Sequence, residues 1–243
     1  TGKSVLLRCI VGLLKPDSGS GKVFGEEWRR AGRATQSHSV LSIDGYSSAR
    51  FAASGIKKRK LELLVDTPKH VPVQISQAPD GTRFQAGHDG YDSTHGLTHA
   101  RILELTFNGR GLAGEDMLLA MEDPAKKRFD TKMDELSLQG IPYSIRFHLH
   151  PEVDAALDMG ETAVSIAQKS GELWVFRHDG VAKLSLEPSV YLEKGRLQPR
   201  ATKQIVLTGR AMDYATRIRW SLSKTQDTAV GVRDLVPDDE TQF

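Results

Sequence analysis

From residue 40 onward, apolar and polar residues alternate in short runs with a period of two, the pattern of half-buried strands. "VLSID" (40–44) ends in the turn dipeptide Asp44-Gly45. "KLELLVD" (60–66) and "VPVQIS" (71–76) follow, and the turn-rich "APDGT" bounds the latter. In "ARILELTFNGRGLAGEDMLL", Ile102, Glu104 and Thr106 alternate with Leu103, Leu105 and Phe107 before Asn108-Gly109. That dipeptide predicts a tight hairpin with φ > 0 at both central positions. Further strands are expected at 143–150, 163–168, 173–178, 181–187, 189–193, 203–209 and 216–223, many separated by glycine-containing turns. Residues 121–136, "MEDPAKKRFDTKMDEL", interrupt the alternation and predict a loop or short helix. Many short strands at this spacing predict an all-β fold, a large antiparallel β-sandwich.

The first twenty residues follow another period. Val5, Leu6, Leu7, Cys9, Ile10, Leu13 and Leu14 fit one amphipathic helix, and Thr1-Gly2-Lys3-Ser4 match the end of a phosphate-binding loop. In this organisation a short N-terminal helical stub (1–20) precedes a β-sandwich domain (21–226) and an acidic C-terminal tail (227–243) that is expected to fray. A P-loop ATPase alternates strands and helices around a parallel sheet, and nothing after residue 20 reads that way.

Composition narrows the class. The chain has 243 residues with 26% charged and 39% hydrophobic residues, ordinary for a globular protein with a real core. No apolar run approaches the roughly 18 residues of a membrane-spanning helix, and no signal-peptide pattern is present. The expectation is a soluble domain, periplasmic or cytoplasmic, with no membrane partner. The single cysteine, Cys9, excludes an internal disulfide and a thiolate metal cluster. Net charge is +2, but residues 1–60 carry 12 Lys/Arg against 4 Asp/Glu, while the remainder carries a balance of −6. A basic first quarter suits an anionic polymer or a solvated surface. Nucleic acid is not expected, since no recognition helix or nucleic-acid-binding motif occurs.

Two stretches of the chain resemble known families. "TGKSVLLRCIVGLLKPDSG" resembles the segment after the Walker A lysine of ABC-transporter ATPases, without the glycine cradle before it. From about Val23 to Ser223 the chain resembles the C-terminal β-sandwich region of heparinase II/III-like polysaccharide lyases. The carrying segments are "FGEEWRRAGRATQSHSVLSIDG" (24–45), "AGHDGY" with "GLTHARIL" (86–103), "IRFHLHP" (145–151), "ELWVF" (172–176), "SVYLE" (189–193) and "QIVLTGRA" (204–211). Together they suggest a chimeric or truncated reading frame. The second resemblance implies a two-domain lyase that performs β-elimination on uronate-containing glycans. There an α/α-toroid, not contained in these 243 residues, supplies most catalytic groups.

Candidate residues fall into five groups. His88, Tyr91 and His99, with Asp89 and His95, form the densest titratable cluster; His and Tyr can serve as base and acid near pH 7. They read either as a substrate-facing surface toward the toroid or as a polar loop. On a strand, Leu97, His99 and Arg101 share a face. The resemblance implies that His38 is a metal ligand, usually to a structural zinc, with partners from preceding strands; the alternative is a hydrogen-bonded His in a polar layer. His148 and His150 form an H-x-H pair able to chelate or simply to pack. Trp28 with Arg29, Arg30 and Arg33 suits an acidic polysaccharide by stacking and bidentate pairing, and "KKRK" (57–60) either adds to it or keeps a sheet edge soluble. Glu115-Asp116 reads as a solvated edge.

The functional expectation is a lyase β-sandwich that is catalytically incomplete without its toroid. A non-catalytic glycan-binding or structural module is the alternative, and an ATP-binding fragment the remote one.

Overall fold

The computed structural model describes residues 34–54, 61–191 and 199–225. Its strands are β1 (Leu41–Ile43), β2 (Arg50–Ser54), β3 (Leu61–Asp66), β4 (Val73–Ala78), β5 (Gly81–Tyr91), β6 (Leu97–Thr106) and β7 (Gly111–Leu119). There follow β8 (Ile141–His148), β9 (Val153–Asp158), β10 (Ala163–Gln168), β11 (Leu173–His178), β12 (Lys183–Tyr191), β13 (Arg200–Ala211) and β14 (Ala215–Lys224). Two helices, α1 (Asp92–His95) and α2 (Asp123–Glu135), interrupt them. Eight strands form one antiparallel sheet in the order β4-β5-β6-β7-β14-β11-β10-β9, and four form a second in the order β1-β8-β13-β12. β2 and β3 make a separate ribbon. The expected antiparallel β-sandwich is the observed fold. The helical stub and the acidic tail lie outside the described residues. Among the described residues, no helix is long and apolar enough to cross a membrane.

The alternation that predicts the strands also builds the core. Leu97, Leu103, Leu112, Leu118, Ile218 and Leu222 of the large sheet are buried, as are Leu41, Ile145, Phe147, Ile205 and Leu207 of the small one. Phe147 of the small sheet meets Phe176 and Trp220 of the large one at ring-centroid distances of 4.9 and 4.6 Å. Fully burying each such side chain contributes about 1.5–3 kcal/mol.

Several local expectations change. Of the loop or short helix expected at residues 121–136, residues 123–135 form a helix of 13 residues. Ala125, Phe129 and Met133, four residues apart, give a narrow buried stripe in an otherwise polar segment, and proline sits in its first turn where a missing N–H costs nothing. The two strands expected around Pro188 are one, β12. A proline is tolerated there because β12 is a sheet edge. The hairpin at Asn108-Gly109 has φ > 0 at Gly109 only. Its turn closes by the Gly109 N–H donating to the Thr106 carbonyl at 2.8 Å, and Asn108 Oδ1 accepts from the Arg110 N–H. β2, β5 and β9 were not expected.

Candidate functional site

β5 and β6 pair so that His88 stands opposite His99, and β6 and β7 pair so that Arg101 stands opposite Asp116. Leu97, His99, Arg101 and Leu103 therefore share the inward face of β6, as the strand period requires. On β7 the same face carries Leu112, Gly114, Asp116 and Leu118. The result is a polar cluster inside the sandwich.

Asp116 is 0% exposed and accepts four hydrogen bonds. His99 Nε2 donates to Oδ1 at 2.8 Å. Arg101 donates from Nε to Oδ1 at 2.8 Å and from Nη2 to Oδ2 at 3.0 Å, a bidentate pair. Trp220 Nε1 donates to Oδ2 at 2.9 Å. The remaining Arg101 nitrogen, Nη1, reaches the Ser39 carbonyl at 2.5 Å and so ties the cluster to the residues leading into β1. Burial alone would raise the Asp116 pKa, but the Arg101 guanidinium and the His99 ring hold it well below the usual carboxylate range.

The two imidazoles have a defined proton order. The Gly90 N–H donates to His88 Nδ1 at 3.2 Å, so the His88 proton sits on Nε2. Nε2 then donates to His99 Nδ1 at 3.2 Å, and His99 passes its own Nε2 proton toward Asp116. Burial, helped by the nearby His99, lowers the His88 pKa to about 4. Each of the four ring nitrogens is engaged. None offers a lone pair to a substrate proton without breaking an internal bond.

These positions revise the expected site. His99 is 3% exposed and Tyr91 0%, with the Tyr91 hydroxyl donating to the Leu41 carbonyl at 3.4 Å. Both lie in the interior rather than on an open face. Burial raises the Tyr91 pKa to about 12. His88 and Tyr91 belong to a strand, not a loop, and His95 is buried in α1. Asp89 turns outward, where it accepts from the Lys69 and His70 N–H groups. Asp116 is not a solvated edge; only its neighbour Glu115 faces out, bonded to Arg219 at 3.0 Å. The parity of Asp116 with Leu112 and Leu118 was the overlooked signal. An Arg101 on a buried face also demands an acid, and Trp220 and Ser39 complete what that demand recruits.

His148 and His150 do not converge. His148 contacts Ser189 Oγ at 2.9 Å and the Gln36 carbonyl at 3.2 Å, while His150 lies beyond the strand and packs edge-on to Tyr191. His38 is half-buried, directly after a 3-10 turn at Thr35–Ser37, and its field lowers the His148 pKa slightly, behind the larger effect of burial. Among the described residues, no three His, Cys, Asp or Glu side chains gather as a metal site. Trp28, Arg29, Arg30, Arg33 and residues 57–60 lie outside the described residues.

A separate groove of about 990 Å³ opens beside this cluster. Tyr46, Ser47, Ser48, Arg50, Asp66 and Thr94 line it, with Arg50 Nε donating to Asp66 Oδ2 at 3.2 Å. Phe51 and Val65 also line it, so its wall mixes apolar surface with hydroxyls and an ion pair.

Residues 13–221 match the family described as "Heparinase II/III-like, C-terminal". Over 196 residues the chain is 31% identical to FtsZ-localized protein C of Caulobacter vibrioides (strain NA1000 / CB15N), covering 80% of this chain and 32% of that protein. Among solved structures, heparan sulfate lyase HepC from Pedobacter heparinus superposes with a TM-score of 0.57 at 12% identity, over 88% of this chain and 28% of that one. A heparinase III superposes with a TM-score of 0.53 at 14% identity, over 86% and 27%. The chain thus spans about a third or less of each of these longer proteins. At such identities the two structural likenesses speak to the fold.

Proposed function

Because this chain belongs to the heparinase II/III-like C-terminal family, we propose that it is the non-catalytic β-sandwich module of a larger protein, holding an acidic glycan without cleaving it. The observation that carries this reading is the state of its histidines. His88 and His99 spend every ring nitrogen on internal bonds, and Asp116 is fully paired in the interior. β-Elimination needs a base that reaches a sugar C5 proton and an acid at the leaving oxygen. Groups locked between two sheets serve folding instead. The groove lined by Tyr46, Ser47, Ser48 and Arg50 supports the binding half of the proposal. A ring for stacking, hydroxyls for sugar OH groups and a guanidinium for a carboxylate or sulfate are the chemistry a uronate glycan needs.

Heparan sulfate and other uronate-containing polysaccharides test it. The chain is titrated with each while the ultraviolet absorbance of an unsaturated uronate product is followed. Binding without absorbance growth is the expected result, and Tyr46→Ala should weaken it. Steady product formation would overturn the non-catalytic reading in favour of a lyase module.

The likeness to a protein named for FtsZ localisation favours a second reading, in which the module helps bring its parent to FtsZ. A fluorescent fusion of the full parent protein, imaged with and without this module, tests it. Co-localisation with labelled FtsZ that survives deletion of the module would exclude that role.

A further inference from the structure

Along the ribbon wall of the groove, Arg50 stands opposite Asp66 and Phe51 opposite Leu64, so β3 holds one extra residue, Val65, at a β-bulge. In a regular strand, neighbouring side chains point to opposite faces. The bulge interrupts that rule, and Arg50, Phe51, Val65 and Asp66 all line the groove. One short stretch of ribbon thus brings an apolar pair and a charged pair to the same wall.

The charged pair is loosely made. Arg50 donates to Asp66 Oδ2 from Nε alone, at 3.2 Å, and the two side chains are 73% and 47% exposed. Arg101, by contrast, grips the buried Asp116 with Nε and Nη2 together. Among the described residues, Nη1 and Nη2 of Arg50 make no hydrogen bond. These nitrogens form the end of the guanidinium fork that a carboxylate or sulfate takes up with two parallel bonds. An exposed, singly bonded pair adds little to stability, so a change of partner costs the fold little. Asp66 still decides what the groove accepts. Its carboxylate neutralises Arg50 and repels a second anion brought to the same guanidinium. A neutral sugar hydroxyl cannot displace it, whereas an anionic group with two oxygens pairs better than the single Nε contact. The exit of β3 is fixed elsewhere, since Asp89 accepts from the Lys69 and His70 N–H groups at 2.7 and 3.2 Å. Loss of the Asp66 charge therefore leaves the wall in place.

We infer that Asp66 is a built-in competitor for the acidic group of the ligand: it occupies Arg50 in the free protein and gives way when a glycan carboxylate or sulfate binds. This role rests on the glycan reading of the groove and assigns its selectivity to one side chain. Asp66 holds the affinity for acidic glycans down and leaves that for neutral ones untouched.

Calorimetric titration of the full chain with three derivatives of heparan sulfate tests this. One is desulfated, one is carboxyl-reduced, and one carries both changes and so no charge. Asp66→Asn should strengthen binding of at least one anionic derivative about threefold to tenfold, and the derivative that gains names the group Arg50 takes. The uncharged derivative should change by less than about twofold. In an Arg50→Gln background, adding Asp66→Asn should also gain less than about twofold, because no guanidinium is left to release. The circular dichroism spectrum and urea midpoint of Asp66→Asn should match those of the native chain. Tyr46→Ala should weaken all three derivatives, which reports on the groove apart from the ion pair. An equal gain for the uncharged derivative, a gain of the same size without Arg50, or no gain where Tyr46→Ala still weakens binding would each overturn the inference alone. No binding of any derivative by the native chain or by Asp66→Asn would overturn the glycan reading with it.

Discussion

His88 and His99 stand directly opposite each other on β5 and β6, and the 3.2 Å contact between them carries its proton in one direction only, from His88 Nε2 to His99 Nδ1. The chain of donors ends on Asp116, where two further side chains converge. Asp116→Asn keeps the shape but removes the charge that Arg101 requires. Unfolding in urea should show a loss of about 3–5 kcal/mol, the cost of leaving one member of a buried ion pair alone. Trp220→Phe keeps the ring and deletes one donor, and should cost about 1–3 kcal/mol.

Acid should loosen the fold in a defined window. His88 and His95 are both held near pKa 4 by burial, against about 6.5 in an unfolded chain. Above pH 6.5 both states are neutral and the full stability is present. Between pH 6.5 and 4 the unfolded chain takes up protons that the native chain refuses, so stability falls, by up to about 3 kcal/mol per ring. Asp116, held below the usual range, adds a further loss under pH 4, because the unfolded carboxylate protonates first. Melting temperatures from pH 8 to 4 should fall on that limb, and His88→Gln should flatten it.

Helix α2 ends with the Leu138 N–H donating to the Met133 carbonyl and the Ser137 N–H to Asp134, the paired bonds of a Schellman motif. Glycine usually occupies the left-handed position that Ser137 takes with φ 52°. Ser137→Gly should therefore stabilise the domain by about 1 kcal/mol, read as a rise in the urea midpoint at constant slope.

Gly114 pairs with Trp220 across β7 and β14, and a methyl group there would enter the indole ring. Gly114→Ala should destabilise by about 1–3 kcal/mol or more and disturb the tryptophan emission spectrum. Gly160→Ala, in an open turn with nothing near its Cβ position, should cost only about 1–2 kcal/mol and leave the emission unchanged.

What the sequence disclosed followed from its periodicity. β10 and β11 fall on the residues that alternation predicts, because each buries one face under the small sheet. β5 was hidden, since "GTRFQAGHDGY" has three glycines, and its partial burial on both faces leaves no clean alternation. α2 reads equally as a loop or a short helix because only three of its thirteen side chains are buried. At the site, Leu97, His99 and Arg101 could be placed on one face from spacing alone. Their partners could not. Asp116 is fifteen residues from Arg101 and Trp220 over a hundred from Asp116, and such encounters depend on strand order. Ordinary acidic residues are exposed, so Glu115-Asp116 read as an edge until the register put one of them inside.

Alternation by itself leaves β6 free to slide along β7 by two residues, since every side chain would keep its face. Such a slip would set Arg101 against Gly114 or Leu118 and strand two opposite charges apart in the interior. The correct alignment alone brings guanidinium and carboxylate together, with Trp220 arriving from β14 to close the set. Either slip would leave a buried charge without its partner, at a cost of about 3–5 kcal/mol, so the cluster favours the observed register over its neighbours.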